Sequence, residues 1–264
     1  MAHLTISPHR RGVRSRGVDG ARSMPPSVEV ESVVRVFGHG ASATRALDGV
    51  SLSLAPKSFT AVMGPSGSGK TTLLLCAAGL DRQSEGSVHV GGVVLDGLSE
   101  RARAKLRRER IGFVFQSFNL LDALTAEQNV TLPERLAGKR ISRNRARAAL
   151  ARVGLEEKAG RRPAELSGGE QQRVAVARAL VGEPDVVFAD EPTGALDLAS
   201  GRGVLDALRA AVDELGRTVL MVTHDPRSAA RADRVVFLAD GRLVGELQRP
   251  TADQVADWMA SLEG

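Results

Sequence analysis

The chain has 264 residues, 42% of them hydrophobic and 25% charged, which is enough for one large α/β domain, or two small ones, with a sizeable core. Its one cysteine, Cys76, excludes an intrachain disulfide framework. The longest apolar stretch, from Leu73 to Leu80, is far short of the ~20 residues of a spanning helix, so the expectation is a soluble chain that meets a membrane only through a partner or its surface. A net charge of +5 points at first to nucleic acid, but residues 1–24 alone carry Arg10, Arg11, Arg14, Arg16 and Arg22 against Asp19, and the rest of the chain nets +1.

Residues 1–24 are rich in Arg, Gly and Ser, show no apolar periodicity and read as a disordered basic tail. They lack the apolar run of a secretory signal. Either the tail is real, with a charge suited to anionic lipid, or Met24, just before Pro25-Pro26, is the true start. Residues 28–37 alternate as a strand does. Residues 59–63 form an apolar strand that runs into a glycine-rich loop and then an apolar helix. Residues 88–95 are broken by Gly91-Gly92, a hairpin signal. The arginine runs at 101–110 and 140–152 lack interleaved aromatics, so they offer no base-stacking platform and read as solvated helix faces. Residues 117–182 look largely helical. Two compact strands, 186–189 and 218–222, flank residues 199–215, where Val204, Leu205, Leu208 and Val212 have helical spacing. Residues 235–238 and 243–247 flank Asp240-Gly241, another hairpin. At the end, Thr251 and Gln254 form a capping box, and Val255, Met259 and Leu262 share one face of a helix at about 251–262 expected to pack on the body. Helices alternating with buried strands imply a mostly parallel sheet covered on both faces.

Gly64-Pro65-Ser66-Gly67-Ser68-Gly69-Lys70-Thr71 fits G-x-x-x-x-G-K-[ST] between a strand and a helix. Glycines let backbone N–H groups converge on phosphate oxygens, and the helix N-terminus adds its positive end. Lys70 is placed to reach the β- and γ-phosphates and Thr71 to ligate Mg²⁺, with Thr72 next in line. By chance the pattern arises in roughly one such chain in 150. Nucleotide binding follows from it; the kind of machine does not.

Leu166-Ser167-Gly168-Gly169-Glu170-Gln171-Gln172, followed by Arg173, arises by chance about once in ten million windows. The string matches the signature of ABC ATPases, and the chain resembles that family from about Val28 to Leu247. The resemblance implies a P-loop NTPase fold over residues 25–264, with a mostly parallel core sheet, an antiparallel β subdomain and an inserted helical subdomain at about 117–182. It also gives roles to other motifs. Asp190, ending an apolar strand, would hold Mg²⁺, and Glu191 would polarise the attacking water. His224 would contact the γ-phosphate. Gln116 would sense the γ-phosphate and Mg²⁺ and move with a membrane partner. Gly194-Ala195-Leu196-Asp197 resembles the D-loop. The family's adenine-stacking tyrosine is missing, because the chain has no Tyr; Phe37 stands at that position and keeps a stacking face.

In the family two copies pack head to tail around ATP, so Ser167 and Gly169, with Gly168 and Glu170 beside them, would serve the nucleotide held by the other copy. Phe115-Gln116-Ser117-Phe118-Asn119-Leu120-Leu121, Leu124-Thr125-Ala126-Glu127-Gln128-Asn129-Val130 and Glu191-Pro192-Thr193-Gly194-Ala195-Leu196-Asp197 resemble the branch of lipoprotein-release, macrolide-export and cell-division ATPases, which serve FtsX-like permeases. An ATPase powering such a permease from the cytoplasmic face of the membrane is therefore expected. The alternatives are an ATPase that signals across the membrane without transport, and a soluble ABC ATPase acting on nucleic acid. The last is disfavoured, because only about a hundred residues, without sustained heptads, separate the phosphate loop from the signature.

Overall fold

The computed structural model describes residues 25–38, 40–139 and 141–263, so the expected disorder of residues 1–24 lies outside the described residues. Val28 and Val30 and, past a register shift at Ser32, Val33 are buried in β1 (Val28–Phe37), which pairs antiparallel with β2 (Thr44–Leu54), Val28 opposite Leu54. The sequence reading left β2 unplaced: its apolar alternation is interrupted at Gly49, whose φ of 72° lies in the left-handed region. The chain then enters a second sheet through β3 (Phe59–Met63), buried along its whole length. A loop and α1 (Lys70–Ala77) return it to the first sheet at β4 (Glu85–Val90), antiparallel to β1. Gly91-Gly92 turns it into β5 (Val93–Val94), Val90 facing Val93 as the hairpin signal requires.

Next come α2 (Glu100–Arg110), β6 (Ile111–Val114), α3 (Ala126–Leu136), α4 (Arg143–Arg152) and α5 (Gly168–Leu180). The remaining elements are β7 (Val186–Asp190), α6 (Leu198–Asp213), β8 (Thr218–Val222), the short α7 (Pro226–Ala229), β9 (Arg234–Ala239), β10 (Arg242–Gln248) and α8 (Ala252–Glu263). The second sheet runs β10-β9-β3-β8-β7-β6, parallel throughout except for β10. Successive strand residues face opposite ways. Ala61, Met63, Val187, Ala189 and Phe237 join a core with residues of α5, α6 and α8. Val62, Phe188, Leu220, Val222 and Leu238 join another with α1 and the antiparallel sheet.

The arginine-rich α2 departs from its expected solvated face. Arg103 is buried, its Nε without a partner, and Arg107 donates to the Gly79 carbonyl at 2.7 Å. Arginine stems cover apolar surface as readily as they project into water, and no apolar periodicity in α2 announces it.

At the end of the chain Thr251 N donates to Gln254 Oε1 at 2.9 Å and Gln254 N to Thr251 Oγ1 at 3.3 Å, closing the expected capping box. Val255 is fully buried, and Met259 and Leu262 pack on the core. Trp258, which the sequence reading passed over, stacks on Phe237 with ring centroids 5.1 Å apart. Its ring lies so close to β10 that a Cβ on Gly245 would fall 2.2 Å from it. Trp258→Ala should cost roughly 3 kcal/mol, the usual range for emptying a large aromatic from a packed site, read as a lowered denaturant midpoint with an unchanged slope.

Candidate active site

Parallel pairing brings the carboxyl ends of neighbouring strands to one edge: Val62 of β3 lies beside Val222 of β8, and Val222 beside Asp190 of β7. In open α/β sheets this edge is where ligands sit. The loop of residues 64–69 leaves β3 there. At its end Gly69 has a φ of 100°, and a Cβ would meet the Ala46 carbonyl oxygen at 2.3 Å, so only glycine fits. No side chain caps the α1 N-terminus, which leaves its first N–H groups for another acceptor. Ser66 and Gly67 stand at the exposed lip, Pro65 and Thr72 are half-buried, and Ser68 is buried with its Oγ unpartnered.

Lys70 Nζ folds back onto its own loop, donating to the carbonyls of Gly64 at 2.9 Å and Pro65 at 2.7 Å. Burial pushes its pKa down, opposed in part by the charges of Glu191 and Asp190. Thr71 Oγ1 donates to Asp190 Oδ1 at 3.3 Å. Burial likewise raises the Asp190 pKa, more than the Thr71 hydrogen bond lowers it. Each charge is held with incomplete compensation.

Glu191 has a φ of 45°, a strained conformation for a residue with a side chain. Its N–H donates to the Val222 carbonyl at 2.9 Å, and its Oε2 lies 2.9 Å from His224 Nδ1. A base paired with an imidazole beside a phosphate-type loop can polarise water and move a proton. Gln116 follows β6 at the same edge, its Nε2 only 3.0 Å from where a Cβ on Gly194 would stand. A cleft of about 630 Å³ opens beside Glu191 and His224, lined also by Asp197, Leu198, Arg202 and Arg231. Phe37 is 43% exposed at the end of β1, a surface ring and not part of the core.

The signature residues lie apart from the phosphate loop. Ser167 caps α5, accepting from Glu170 N at 3.3 Å, while Glu170 Oε2 accepts from Ser167 N at 2.9 Å and Oε1 pairs with Lys158. The Glu170 carboxylate, expected at a nucleotide, is thus engaged within its own copy, which lowers its pKa, Lys158 contributing most. Gly169 is needed for close packing: a Cβ would fall 2.5 Å from Ser200 Cβ on α6. Asp197 caps α6 through Ala199 N and Ser200 N, at 2.9 and 3.0 Å. Among the described residues no hydrogen bond or ion pair joins Ser167, Gly168, Gly169 or Glu170 to the loop at 64–69.

Gln172 lies in the signature motif, yet sequence reasoning does not single it out. Fully buried, it donates from Nε2 to the carbonyls of Phe115 at 3.0 Å and Pro192 at 2.9 Å, the neighbours of Gln116 and Glu191. Arg178 donates to the Phe118 carbonyl at 2.9 Å, and Asn129 grips Leu121 through both its backbone N–H and its carbonyl, at 2.8 and 3.1 Å.

A family model described as ABC transporter matches residues 47–194. The chain belongs to the ABC transporter family. It is the family's ATP-binding, ATP-hydrolysing cassette. The macrolide export ATP-binding/permease protein MacB of Rhodospirillum rubrum is 48% identical over 232 residues, 87% of this chain and 36% of that protein. The MacB of Hyphomonas neptunium is 45% identical over 224 residues, 84% of this chain. The chain therefore spans about a third of the length of these relatives. Among solved structures, the ATP-binding cassette MJ0796, described as a dimer in a post-hydrolysis state bound to ADP and Pi, is 39% identical with a TM-score of 0.77, covering 84% of this chain and 99% of that one. CbiO1 of Clostridium perfringens, part of the ABC transporter complex CbiONQ, is 27% identical with a TM-score of 0.76, covering 90% of this chain and 93% of that one.

Two outcomes follow from the geometry. Because burial raises the Asp190 pKa, the folded cassette binds more protons than the unfolded chain between the ordinary carboxylate value and the raised one, and stability falls as pH rises through that window. Without nucleotide, Asp190→Asn should therefore melt higher than the wild type at about pH 7, and the gap should close as pH drops into the ordinary carboxylate range. Gln172→Leu leaves two buried carbonyls without a donor and should lose about 2 kcal/mol in denaturant titration, with a lower ATPase rate where the variant is still folded.

Proposed function

We propose that the cassette hydrolyses ATP as a head-to-tail dimer that powers a separate FtsX-like membrane permease. The observation that carries this reading is the division of the site: Lys70, Thr71, Asp190, Glu191 and His224 gather at one sheet edge, while Ser167 and Gly169 stand at the tip of α5, joined to them by no hydrogen bond or ion pair among the described residues. A second copy supplies what one lacks. Leu198, 65% exposed beside the cleft at Glu191, is apolar surface for it to cover. The similar cassette MJ0796 is described as dimeric.

In this reading, backbone N–H groups of residues 64–69 and the α1 N-terminus take the phosphates. Gly64, Pro65, Ser66, Gly67, Ser68 and Gly69 wrap them, and the unpartnered Ser68 hydroxyl gains an acceptor. Lys70 exchanges its two carbonyls for phosphate oxygens, and Phe37 stacks on adenine. Glu191 polarises the attacking water. His224, its Nδ1 turned to Glu191, presents Nε2 to the γ-phosphate, and Asp197 fixes the D-loop. Ser167, Gly168 and Gly169 of the second copy close on that phosphate, with Glu170 holding their helix end.

Mg²⁺ suits this site. Among the described residues no three acidic, His or Cys side chains cluster into a metal cage. Mg²⁺ needs none, being bound by one or two side chains together with phosphate. Thr71 and Asp190, joined by Gln116, would hold it, and the half-buried Asp190 carboxylate, whose desolvation outweighs the attraction of Lys70, is the natural ligand. Bound there, it would offset the negative charge of the phosphates.

Among the described residues no helix is long and apolar enough to cross a membrane. In this reading the membrane-spanning part is the FtsX-like permease, and the cassette sits peripherally on its cytoplasmic face. Nucleic acid is not an expected partner. Glu191→Gln should form a stable dimer with ATP and Mg²⁺ in size-exclusion light scattering, while the wild type returns to monomer as ATP is consumed. A variant strictly monomeric at saturating ATP and Mg²⁺ would sink the composite site. Pulled from detergent-solubilised membranes with ATP, the tagged variant should bring an FtsX-like permease; a permease of another class would overturn the branch.

A further inference from the structure

Phe37 is not a bare ring. The Arg35 guanidinium carbon lies 4.3 Å from its ring centroid. That guanidinium is itself clamped, Nε to Asp81 Oδ2 and Nη2 to Asp81 Oδ1, both at 2.9 Å. The fork is partly buried, with 22% of the Arg35 side chain and 24% of the Asp81 side chain exposed. Asp81 belongs to the turn that ends α1, where the N–H groups of Leu80 and Asp81 both donate to the Leu75 carbonyl, at 2.9 and 3.1 Å. The end of β1 is tied to the same turn twice more: Val36 N donates to Ser84 Oγ at 3.0 Å, and Ser84 N to the Val34 carbonyl at 2.7 Å.

We propose that Arg35 is a positioning residue for the base: held by Asp81, it occupies one face of Phe37 and fixes the ring so that adenine stacks on the other. The inference rests on the reading of Phe37 as the base platform and adds what makes an exposed phenyl ring a rigid one. A bidentate carboxylate fixes the guanidinium plane, which a lysine could not reproduce. A cation over one face restricts the ring, and affinity rises when less freedom is lost on binding. Because Asp81 closes the helix whose other end carries Lys70, the clamp sets the platform relative to the phosphate loop.

The test uses steady-state ATPase kinetics on the full chain, with inorganic tripolyphosphate as a competitor that has no base. Arg35→Ala should raise the KM for ATP about threefold to tenfold and leave kcat within about twofold, with the Ki of tripolyphosphate unchanged. Asp81→Asn should move KM the same way by less, and Arg35→Lys should recover little. Added to Phe37→Ala, Arg35→Ala should have almost no further effect. If Phe37→Ala raises KM but Arg35→Ala does not, the platform stands and the role of Arg35 is overturned. If Phe37→Ala changes nothing, adenine does not stack there and both readings fall. If Arg35→Ala weakens tripolyphosphate as much as ATP, Arg35 acts through α1 on the phosphate loop, and the proposal is overturned. Thermal melts without nucleotide show whether each variant is folded; if Arg35→Ala is not, the Asp81→Asn result decides.

Discussion

The two hydrogen bonds of the Gln172 amide tie the cassette's parts together. One nitrogen on α5 holds the carbonyl before Gln116 and the carbonyl after Glu191, two segments that come from different strands. Both acceptors are backbone, and the donor has no solvent exposure. In such surroundings a made bond contributes modestly, but an unmade one costs the full desolvation of the orphaned carbonyl. The Gln172 Oε1, buried without a partner, shows that the site accepts one such cost already. Further along α5, Arg178 holds Phe118, and from α3 Asn129 holds Leu121. The stretch after Gln116 is therefore gripped from both helices. A displacement of α5 must carry Gln116 and the Pro192 turn with it or break buried bonds.

The charges at the phosphate loop obey the opposite logic. Lys70 and Asp190 are each shifted toward neutrality by burial, although they stand in one site and carry opposite signs. Their mutual attraction is the smaller effect. Lys70 satisfies itself on two carbonyls of its own loop, contacts that a phosphate can replace with a charge-assisted bond. Ser68 has no partner to give up. An anion arriving beneath Lys70 thus relieves desolvation already present, and this differential interaction is what allows a ligand to shift one state of the cassette over another.

Most of the fold was legible because its signals are local. The strand at 59–63, the hairpin at Gly91-Gly92 and the Thr251 capping box each depend on residues within a few positions, and each stands where the sequence places it. The loop, Asp190, Glu191 and His224 were legible as a set through the ordered motifs of the family resemblance, and the parallel strands bring them to one edge. What escaped is long-range. The bonds of Gln172 join positions 57 and 20 residues away, and nothing beside Gln172 in the chain signals its burial. Arg35 and Asp81 are 46 residues apart and find each other only because β1 and α1 pack together. Arg103 misled for the opposite reason: it lies in a run dense in charge, so the local pattern read as solvent while the packing turned inward.

Glu170 shows how a motif residue can serve a site without touching it. With one oxygen on Ser167 N and the other against Lys158, its carboxylate completes the reciprocal cap of α5. An acidic group at a helix N-terminus is stabilising in itself. Placed here, it turns inward and leaves the outer side of Ser167 and Gly168 clear. The capped end is stiff, and Gly169, pressed against Ser200 of α6, allows that stiffness by letting the two helices meet closely. A rigid, unobstructed helix end can complete a site on another molecule at little entropic cost. The same contacts that engage Glu170 within its own copy therefore stiffen the helix end that carries Ser167.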